Sequence, residues 1–582
     1  MAEMARLEPL TVIAMPLAED AGYGFQAVTV IDREQIEQAP AASLADILAL
    51  APGVDVRRRG GSRIQADIGI RGSGYEQSLI LVDGVGLRNP QTGHHHLNLP
   101  VPLEHIERIE ILRGPGLTGF GSRNTGGAIN IVTRSPEASE AGAGLRVGDY
   151  GFRGMDAHGG LRGDASTHLV SAEREVADGF MADEPTDFDL RRAHYTGNLV
   201  TGNGQIRWGL GIDEREFGAW KFYTADFPDQ REETRSRLGY VTGAFELGRW
   251  KVRPRASVSG HEDEFSTRVG EALFVNEHET VSQALGVSAT TESDRGATEL
   301  GLDGERVRIE SSALGDHRRD EAGIWLAHRR QVSERVQIAG GISRVHDREF
   351  GNSWLPHGAL HFQLDRNLET FVAAGRSSRP PSYTELYLQS AGNVGNPDVG
   401  PERALQREAG FRWDGGSQQV AGTVFQRRIG DAIDWGRLPG EVTWQADSFD
   451  NQRTRGAELE WSWRPVEKGP LRRLGVSWTG LNASIDDRGL EIKYAPDYPR
   501  HSLVASGRFA LFAGLKLDFN ARHVNRSSGE QATLLGGRVS RKFGPVQVLV
   551  EGSNLLDETL VEAGFAPLPG RWLFAGLRWS TG

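Results

Sequence analysis

Most of this chain alternates apolar and polar residues with a period of two. Within 205–212, Ile206, Trp208, Leu210 and Ile212 occupy every second position, and the residues between them are polar or glycine. The same period recurs in residues 251–258, 457–464 and 515–522. Because successive side chains of a β-strand lie on opposite faces, the pattern predicts many strands, each with one apolar and one polar or charged face.

Residues 25–135 carry a different pattern, in which short helical and strand segments alternate. Asp32 and Ser43 are predicted N-caps, because each places a side-chain oxygen just before a helical pattern. Pro52 and Gly53 end the second helix. Strands are predicted at 28–31, from Val54 and from Asp67. We expect one compact α+β domain of ~110 residues, a usual size for a single domain.

The segment 106–133 is the stretch around which the chain is organised. Ile106, Ile109 and Ile111 alternate with charged residues, and a glycine-rich stretch separates them from an apolar run at 128–132. The pattern predicts two strands joined by a tight reversal that glycine permits.

The length of the remaining chain indicates that its strands close into a β-barrel. About 440 residues follow the first domain, without a helical period or a repeat of ~40–50 residues. At ~10 residues per membrane-spanning strand, they accommodate about 22 strands, enough for a β-barrel that encloses a domain. The longest apolar stretch, 44–52, is interrupted by Asp46, so no transmembrane helix is predicted. A mean hydropathy of −0.42 is compatible with a barrel whose lumen is polar.

The charged residues indicate which face of each strand meets lipid. An arginine facing the middle of the bilayer costs about 2–4 kcal/mol, so the charged face must point into the lumen. This places Arg253, Glu458, Lys516 and Arg522 inside the barrel. The candidates for aromatic girdles at the membrane interfaces are Trp208, Trp461, Trp463, Trp572 and Trp579.

Composition excludes several classes of function. The chain has no cysteine, so it has no disulfide, zinc-thiolate site or cysteine nucleophile. A net charge of −12 argues against nucleic-acid binding. The sequence contains no Gly-x-Ser-x-Gly, His-Glu-x-x-His or phosphate-binding loop, and no dinucleotide fingerprint on a strand-turn-helix unit, so we expect no enzyme.

Several motifs resemble TonB-dependent outer-membrane receptors in the order that this family shows. They are the helix-to-strand passage at 43–60, LVDGVGL at 81–87, the segment 106–133, EGSNLLDE at 551–558 and PGRW at 569–572. The resemblance implies a transmembrane β-barrel of 136–582 in the outer membrane, in contact with outer-membrane lipid, with 25–135 as a plug domain inside its lumen. The chain departs from the family at its end, where Ser580, Thr581 and Gly582 follow Trp579.

The N-terminal extension 1–24 shows no signal-peptide pattern, so the chain is either a processed form or begins further upstream. It contains a β-prone run between two prolines: Leu10, Thr11, Val12, Ile13 and Ala14. By resemblance this run is the TonB box, which pairs as an extended strand with TonB, the protein driven by an inner-membrane energising complex. The alternative is a disordered tail.

An outward-facing plug loop at 89–100 supplies the first candidate ligand contacts: Asn89, Gln91, Thr92, His94, His95 and His96, with Tyr75 nearby in the plug. The three histidines suit a metal, an organic ligand or simple solvation. Adjacent residues of an extended loop point in opposite directions, so the three are not expected to share one ion, and no metal site is assigned to them.

The segments 91–96, 217–234 and 379–387 resemble the cobalamin-receptor-like branch of the family. The second segment adds Trp220, Phe222 and Tyr223 as candidate contacts, since aromatics among amides and acids suit a large, partly apolar solute. The alternative is an outer loop folded on its own aromatics. The expected cargo is cobalamin or a related corrinoid; the alternative is a ferric siderophore or another metal chelate.

Acidic residues early in the barrel are weak calcium candidates: Asp178, Asp183, Asp187 and Asp189, with Glu184 beside them. Some cobalamin receptors order their outer loops with calcium, although the spacing here fits no calcium loop and equally describes a solvated acidic loop. No cofactor is expected to be required. A surface lipoprotein that caps the barrel is a further candidate partner.

Plug arginines are interpreted as structural. Arg71, Arg113 and Arg123 are expected to pair with inward carboxylates such as Glu458 or Glu460. Two rivals of another class remain open at this stage, a passive porin or adhesin and a soluble secreted β-rich enzyme.

Overall fold

The computed structural model describes residues 25–40, 43–61, 63–114, 124–390, 392–465, 469–495 and 497–581. They form a closed barrel and a smaller domain that lies in its lumen. The predicted boundary at residue 135 falls between the last strand of the inner domain, which ends at Thr133, and the first barrel strand, which begins at Glu140.

The inner domain, called the plug below, is built on a mixed five-stranded sheet in the order β1-β6-β7-β4-β5 and a separate hairpin of β2 and β3. Only β4 and β7 run parallel in that sheet. Its elements are β1 (Val28–Asp32), α1 (Arg33–Gln38), α2 (Leu44–Leu48), β2 (Val54–Arg59), β3 (Gln65–Ile70), β4 (Ser78–Val82), β5 (Val85–Leu87), β6 (Ile106–Leu112), β7 (Gly127–Thr133) and short 3-10 turns at Tyr75–Gln77, Gly93–His95 and Leu103–His105.

The barrel comprises 22 antiparallel strands among the described residues and closes where the last strand pairs with the first. They are β8 (Glu140–Gly148), β9 (Arg153–Arg162), β10 (Ser166–Ala177), β11 (Phe188–Thr201), β12 (Gly204–Gly218), β13 (Gln230–Leu247), β14 (Trp250–Val269), β15 (Ala272–Ser293), β16 (Gly296–Ser311), β17 (His317–Ser333), β18 (Val336–Asp347), β19 (Gly351–Gln363), β20 (Leu368–Arg379), β22 (Glu402–Asp414), β23 (Gln418–Gly430), β26 (Gln452–Trp463), β27 (Leu471–Ser484), β29 (Pro499–Ala510), β30 (Lys516–Arg526), β31 (Gln531–Phe543), β32 (Val546–Ser553) and β33 (Trp572–Ser580). The predicted fold is confirmed.

One end of the barrel carries short turns, and the other carries the long connections, which are called the outer loops below. They are 178–187, 219–229, 380–401, 431–451, 485–498 and 554–571. Three of them form a small four-stranded sheet from β21 (Asn393–Val394), β24 (Ala432–Arg437), β25 (Trp444–Phe449) and β28 (Glu491–Ile492). The helix α3 (Tyr383–Tyr387) lies in the same region.

The outer wall of the barrel is apolar and its inner wall is charged. Leu285, Val424 and Leu577 expose half or more of their surface outward, whereas Glu458 and Arg522 are buried in the lumen. Apolar outside and ionic inside is the reverse of a soluble protein and fits a lipid-facing cylinder. No helix among the described residues is long and apolar enough to cross a membrane.

One local expectation fails. Trp572 is not part of an interfacial girdle, because it faces the lumen, is buried and packs edge-on against Phe152 at 6.0 Å between ring centroids. The strands β6 and β7 pair as predicted, and most of the predicted reversal between them, residues 115–123, lies outside the described residues.

The helix caps agree with the sequence. The Asp32 carboxylate accepts a hydrogen bond from the Gln35 amide at 2.8 Å, and Ser43 Oγ accepts one from the Asp46 amide at 3.3 Å. Each contact satisfies an amide that the first helical turn leaves without a partner.

Candidate functional site

Buried ion pairs hold the plug against the barrel wall. Arg71 reaches Glu408 at 2.7 Å and Glu458 at 2.8 Å, and Arg113 reaches Glu458 at 2.9 Å and Glu460 at 2.6 Å. This confirms the expected pairing for two of the three plug arginines; Arg123 lies outside the described residues. We call these five residues the Arg71 cluster.

Similar contacts surround the plug on other sides. They include Arg58 with Glu562 at 2.7 Å, Asp55 with Arg526 at 2.9 Å, Asp83 with Arg207 at 2.8 Å and Glu104 with Arg578 at 2.7 Å. Hydrogen bonds between charged groups are strong at this length, so they hold plug and barrel side chains firmly together. Water also solvates these charged side chains. The plug is therefore bound to the wall by polar contacts on several sides, while Leu238 and Tyr240 of the wall pack into its apolar core.

The histidine run forms a compact turn on the outward side of the plug. Thr92 begins the 3-10 turn Gly93–His95, and His96 ends it by donating its amide to the Gly93 carbonyl at 3.1 Å. Glycine is needed in this turn, because a Cβ there would lie 2.7 Å from the carbonyl oxygen of Tyr75. The turn thus fits directly against Tyr75.

His94 and His95 point to different partners. His94 Nδ1 lies 2.6 Å from Asp67, and its ring stacks on Tyr75 at 4.1 Å between centroids. Burial lowers the pKa of His94 to about 4, so the ring is neutral and donates to the carboxylate. His95 faces two barrel carboxylates, with Nδ1 3.8 Å from Glu232 and Nε2 3.5 Å from Asp263. The three histidines do not converge on one point, although the backbone is a turn rather than an extended loop.

The remaining polar candidates of this loop support its shape. Asn89 is half-buried, and its side chain accepts from the Gln91 amide at 3.0 Å. Gln91 is buried and donates from Nε2 to Asp263 at 2.9 Å. The Thr92 hydroxyl donates to Glu76 at 3.3 Å.

The aromatic candidates of loop 219–229 are mostly covered. Trp220 and Phe222 are buried with Phe217 in an apolar cluster, so the loop folds on its own aromatics. Tyr223 is 40% exposed, and its hydroxyl accepts from the amide nitrogen of Gln65 at 2.8 Å. Only Tyr223 of the three therefore presents a substantial free surface.

A small cavity of about 40 Å³ lies between the plug and the outer loops beside Tyr75. Tyr494 packs edge-on against Tyr75 at 5.3 Å, and Glu76 and Arg379 contribute charge. Burial and the neighbouring Glu385 carboxylate raise the pKa of Glu76 to about 8. Sequence reasoning named Tyr75 but missed Glu76 and Tyr494, because only the fold brings loops 72–77 and 485–498 together.

Two of the aspartates that are calcium candidates form ion pairs with arginines. Asp187 pairs with Arg231 at 2.7 Å, and Asp189 pairs with Arg174 at 2.7 Å and Arg191 at 2.8 Å. Among the described residues, the group whose ligand atoms lie within metal-binding distance is instead His95, Glu232 and Asp263. The predicted TonB box, Leu10 to Ala14, lies outside the described residues.

Comparisons with known proteins agree with this architecture. A β-barrel that closes around a plug domain is the architecture of the outer-membrane receptor class. The profile described as TonB dependent receptor-like, beta-barrel, matches residues 148–542, and that of the TonB-dependent Receptor Plug Domain matches residues 24–128. The chain belongs to the TonB-dependent receptor family, a family of receptors and transporters, and is an outer-membrane protein.

Two relatives from curated proteins are similar over most of their length. One is the vitamin B12 transporter BtuB of Vibrio vulnificus, 24% identical over 561 residues that cover 91% of this chain and 88% of the relative. Another is the iron-regulated outer membrane virulence protein of Vibrio cholerae, 24% identical over 499 residues, covering 78% and 74%.

Solved structures share the fold. A mutant of the ferric enterobactin receptor PfeA from Pseudomonas aeruginosa gives a TM-score of 0.79 at 15% identity, covering 97% of this chain and all of that one. The siderophore receptor PirA from Acinetobacter baumannii gives 0.78 at 16% identity, also covering 97% of this chain and all of that one. At such identities the likeness concerns architecture alone.

Proposed function

We propose that this receptor imports cobalamin or a related corrinoid across the outer membrane and that TonB drives the import. The observation that supports this cargo is the likeness to a vitamin B12 transporter over 91% of the chain. The plug geometry supports active transport, because a plug bound on all sides by ion pairs needs work to move. No bond in the cargo is broken.

The structure suggests how cargo reaches the plug. The cavity beside Tyr75 measures about 40 Å³, far below the range of roughly 300–1,000 Å³ that holds drug-sized ligands, and a corrinoid is larger than those. Loops 219–229 and 554–571 cover the neighbouring plug surface, where the Phe222 carbonyl accepts from Arg59 at 2.9 Å. Cargo binding therefore requires these loops to move outward.

Coupling across the plug follows from its topology. The hairpin of β2 and β3 runs from the outer loops at Arg58 and Arg59 to the Arg71 cluster. A ligand that binds two states of the plug with different affinity shifts the equilibrium between those states. By changing contacts at one end of this hairpin, it therefore also changes the contacts at the other end. In this mechanism the bound state releases the segment Leu10 to Ala14 for capture by TonB.

A ferric siderophore or another metal chelate is the second candidate cargo, favoured by the likeness to an iron-regulated outer membrane protein. Calcium at the outer-loop aspartates and a capping surface lipoprotein stay predictions. No cofactor is proposed as a requirement for transport.

Binding by the purified protein in detergent separates the two cargos. Titration with cobalamin, cobinamide and a panel of ferric chelates is expected to give saturable binding of the corrinoids alone. Saturable binding of a ferric chelate without corrinoid binding would show that the cargo is a metal chelate, the second candidate.

A further inference from the structure

A compact group of ionisable side chains lies where the outward plug turn meets the barrel. His95 belongs to the plug, whereas Glu232 and Asp263 lie on the neighbouring strands β13 and β14. One nitrogen of the imidazole and one oxygen of each carboxylate lie within 4.8 Å of one another. The two carboxylates belong to the same wall, because Asp263 is directly opposite Thr234, two residues after Glu232.

The three side chains are buried yet incompletely satisfied. His95, Glu232 and Asp263 are 5%, 1% and 7% exposed. His95 Nδ1, Glu232 Oε1 and Asp263 Oδ1 each lack a hydrogen-bond partner. Buried polar atoms are nearly always paired, so three atoms free to accept a further partner within a single group are what a binding site requires.

Charge points to the type of ligand. A metal cation displaces the protons of its ligands, and two carboxylates beside one neutral imidazole then leave an excess of negative charge for it to balance. Arg59 and Arg215 are engaged by other carboxylates, Arg59 by Asp67 at 3.0 Å and Arg215 by Asp213 at 2.7 Å. The group therefore attracts a further cation.

We propose that His95, Glu232 and Asp263 bind a divalent transition-metal cation of the Zn²⁺ or Mn²⁺ type. Imidazole nitrogen and carboxylate oxygen are ligands that such ions accept at about 2.0–2.2 Å, and the chain has no thiolate to compete. The ligand atoms, which now lie within 4.8 Å of one another on three separate elements, move closer together when the ion binds. The unpaired Gln91 Oε1 and the buried His261, whose ring lies 4.6 Å from that of His95, are available as further donors.

The proposed ion has a structural consequence. It joins a plug turn to two barrel strands, so it stabilises the position of residues 91–96 beneath the outer loops. It is a resident ion of the receptor, and its presence does not depend on which cargo is imported.

Metal binding by the full-length protein tests the proposal. After chelation and dialysis, the protein in detergent is titrated with Zn²⁺ and Mn²⁺, and bound metal is counted by plasma mass spectrometry. We expect one ion per chain for at least one of the two metals, and at least a ~10-fold loss of affinity in His95→Gln, Glu232→Gln and Asp263→Asn. Glu233→Gln is the matched control, because Glu233 is the exposed neighbour on the same strand, and it should bind as the wild type does.

The proposal is overturned if the protein binds neither metal stoichiometrically. It is also overturned if the three ligand variants bind metal as the wild type does. X-ray absorption on the metal-loaded wild type guards against variants that fail to fold. It should show imidazole and carboxylate donors together, and a shell of oxygen alone would contradict the site. Corrinoid binding is measured on the same samples, so a wrong metal site and a wrong cargo give separate results.

Discussion

Arg71 of the plug and Glu458 of the barrel are joined by two hydrogen bonds of 3.0 and 2.8 Å, and both residues are 4% exposed. Glu458 also accepts from Arg113 at 2.9 Å, so one barrel carboxylate serves two plug arginines. Phe425 covers the Arg71 guanidinium at 4.0 Å. Within the Arg71 cluster, one barrel carboxylate therefore holds two plug arginines.

Glu458→Gln should release the plug locally. Removing one partner of a buried ion pair costs about 3–5 kcal/mol, because the remaining charges stay buried. We expect faster amide hydrogen exchange in β2, β3 and β6 and unchanged exchange in the barrel strands. Glu460→Gln is the control from the same face, since the Glu460 side chain is 28% exposed and should give a smaller effect. Equal exchange in the two variants would contradict the assignment.

Phe222→Ala should loosen loop 219–229. Phe222 is 2% exposed within an apolar cluster, and truncating a buried phenylalanine typically costs about 3–5 kcal/mol. Hydrogen exchange of the loop is expected to rise, and the exchange of Gln65 and its neighbours with it. Phe227→Ala, at a residue 43% exposed in the same loop, should change exchange little; if it matches Phe222→Ala, the cluster does not order the loop.

Tyr75→Ala should weaken corrinoid binding. Tyr75 supports His94 by stacking and borders the small cavity between the plug and the outer loops. Loss of an aromatic contact worth about 0.5–1.5 kcal/mol predicts a decrease in affinity of roughly 2- to 10-fold. Calorimetric titration measures it, with Phe512→Ala as the control, because Phe512 is exposed in the turn between β29 and β30 at the opposite end of the barrel. Unchanged affinity would move the cargo site away from this cavity.

Acid should destabilise the contact of Glu104 with Arg33 and Arg578. Burial by itself disfavours the carboxylate, but Arg578 and Arg33 lower the pKa of Glu104 to about 2. Since the folded pKa lies below the ordinary value near 4.5, the stabilisation is complete above that pH and is lost as pH falls from about 4.5 toward 2. Glu104→Gln should remove this part of the acid dependence of plug unfolding, measured by fluorescence at stepwise pH. An acid profile that stays identical in the variant would show that the pair contributes nothing.

Periodicity predicted the barrel well because its cause is local. A strand with lipid on one side and a polar lumen on the other must alternate, so residues such as Leu459 and Glu458 could be assigned to opposite faces without a structure. The caps at Asp32 and Ser43 were predictable for the same reason, since each contact spans three residues.

Contacts between distant segments were not predictable. Asp263 approaches His95 only because β14 follows β13 around the barrel, and no motif joins the two residues in the sequence. Trp572 failed as a girdle residue because alternation near the end of a strand also places aromatics in the lumen, where this one meets Phe574. Family resemblance supplied candidate ligand loops, but it did not predict their burial, which depends on how the outer loops fold inward.

Corrinoid uptake by cells that lack their own transporter tests the central claim most directly. Cells with the full-length receptor should accumulate labelled cobalamin, whereas cells with a receptor lacking residues 7–15, or cells without TonB, should bind it at the surface and accumulate none. Accumulation that persists without residues 7–15 and without TonB would show a passive pore and contradict the account.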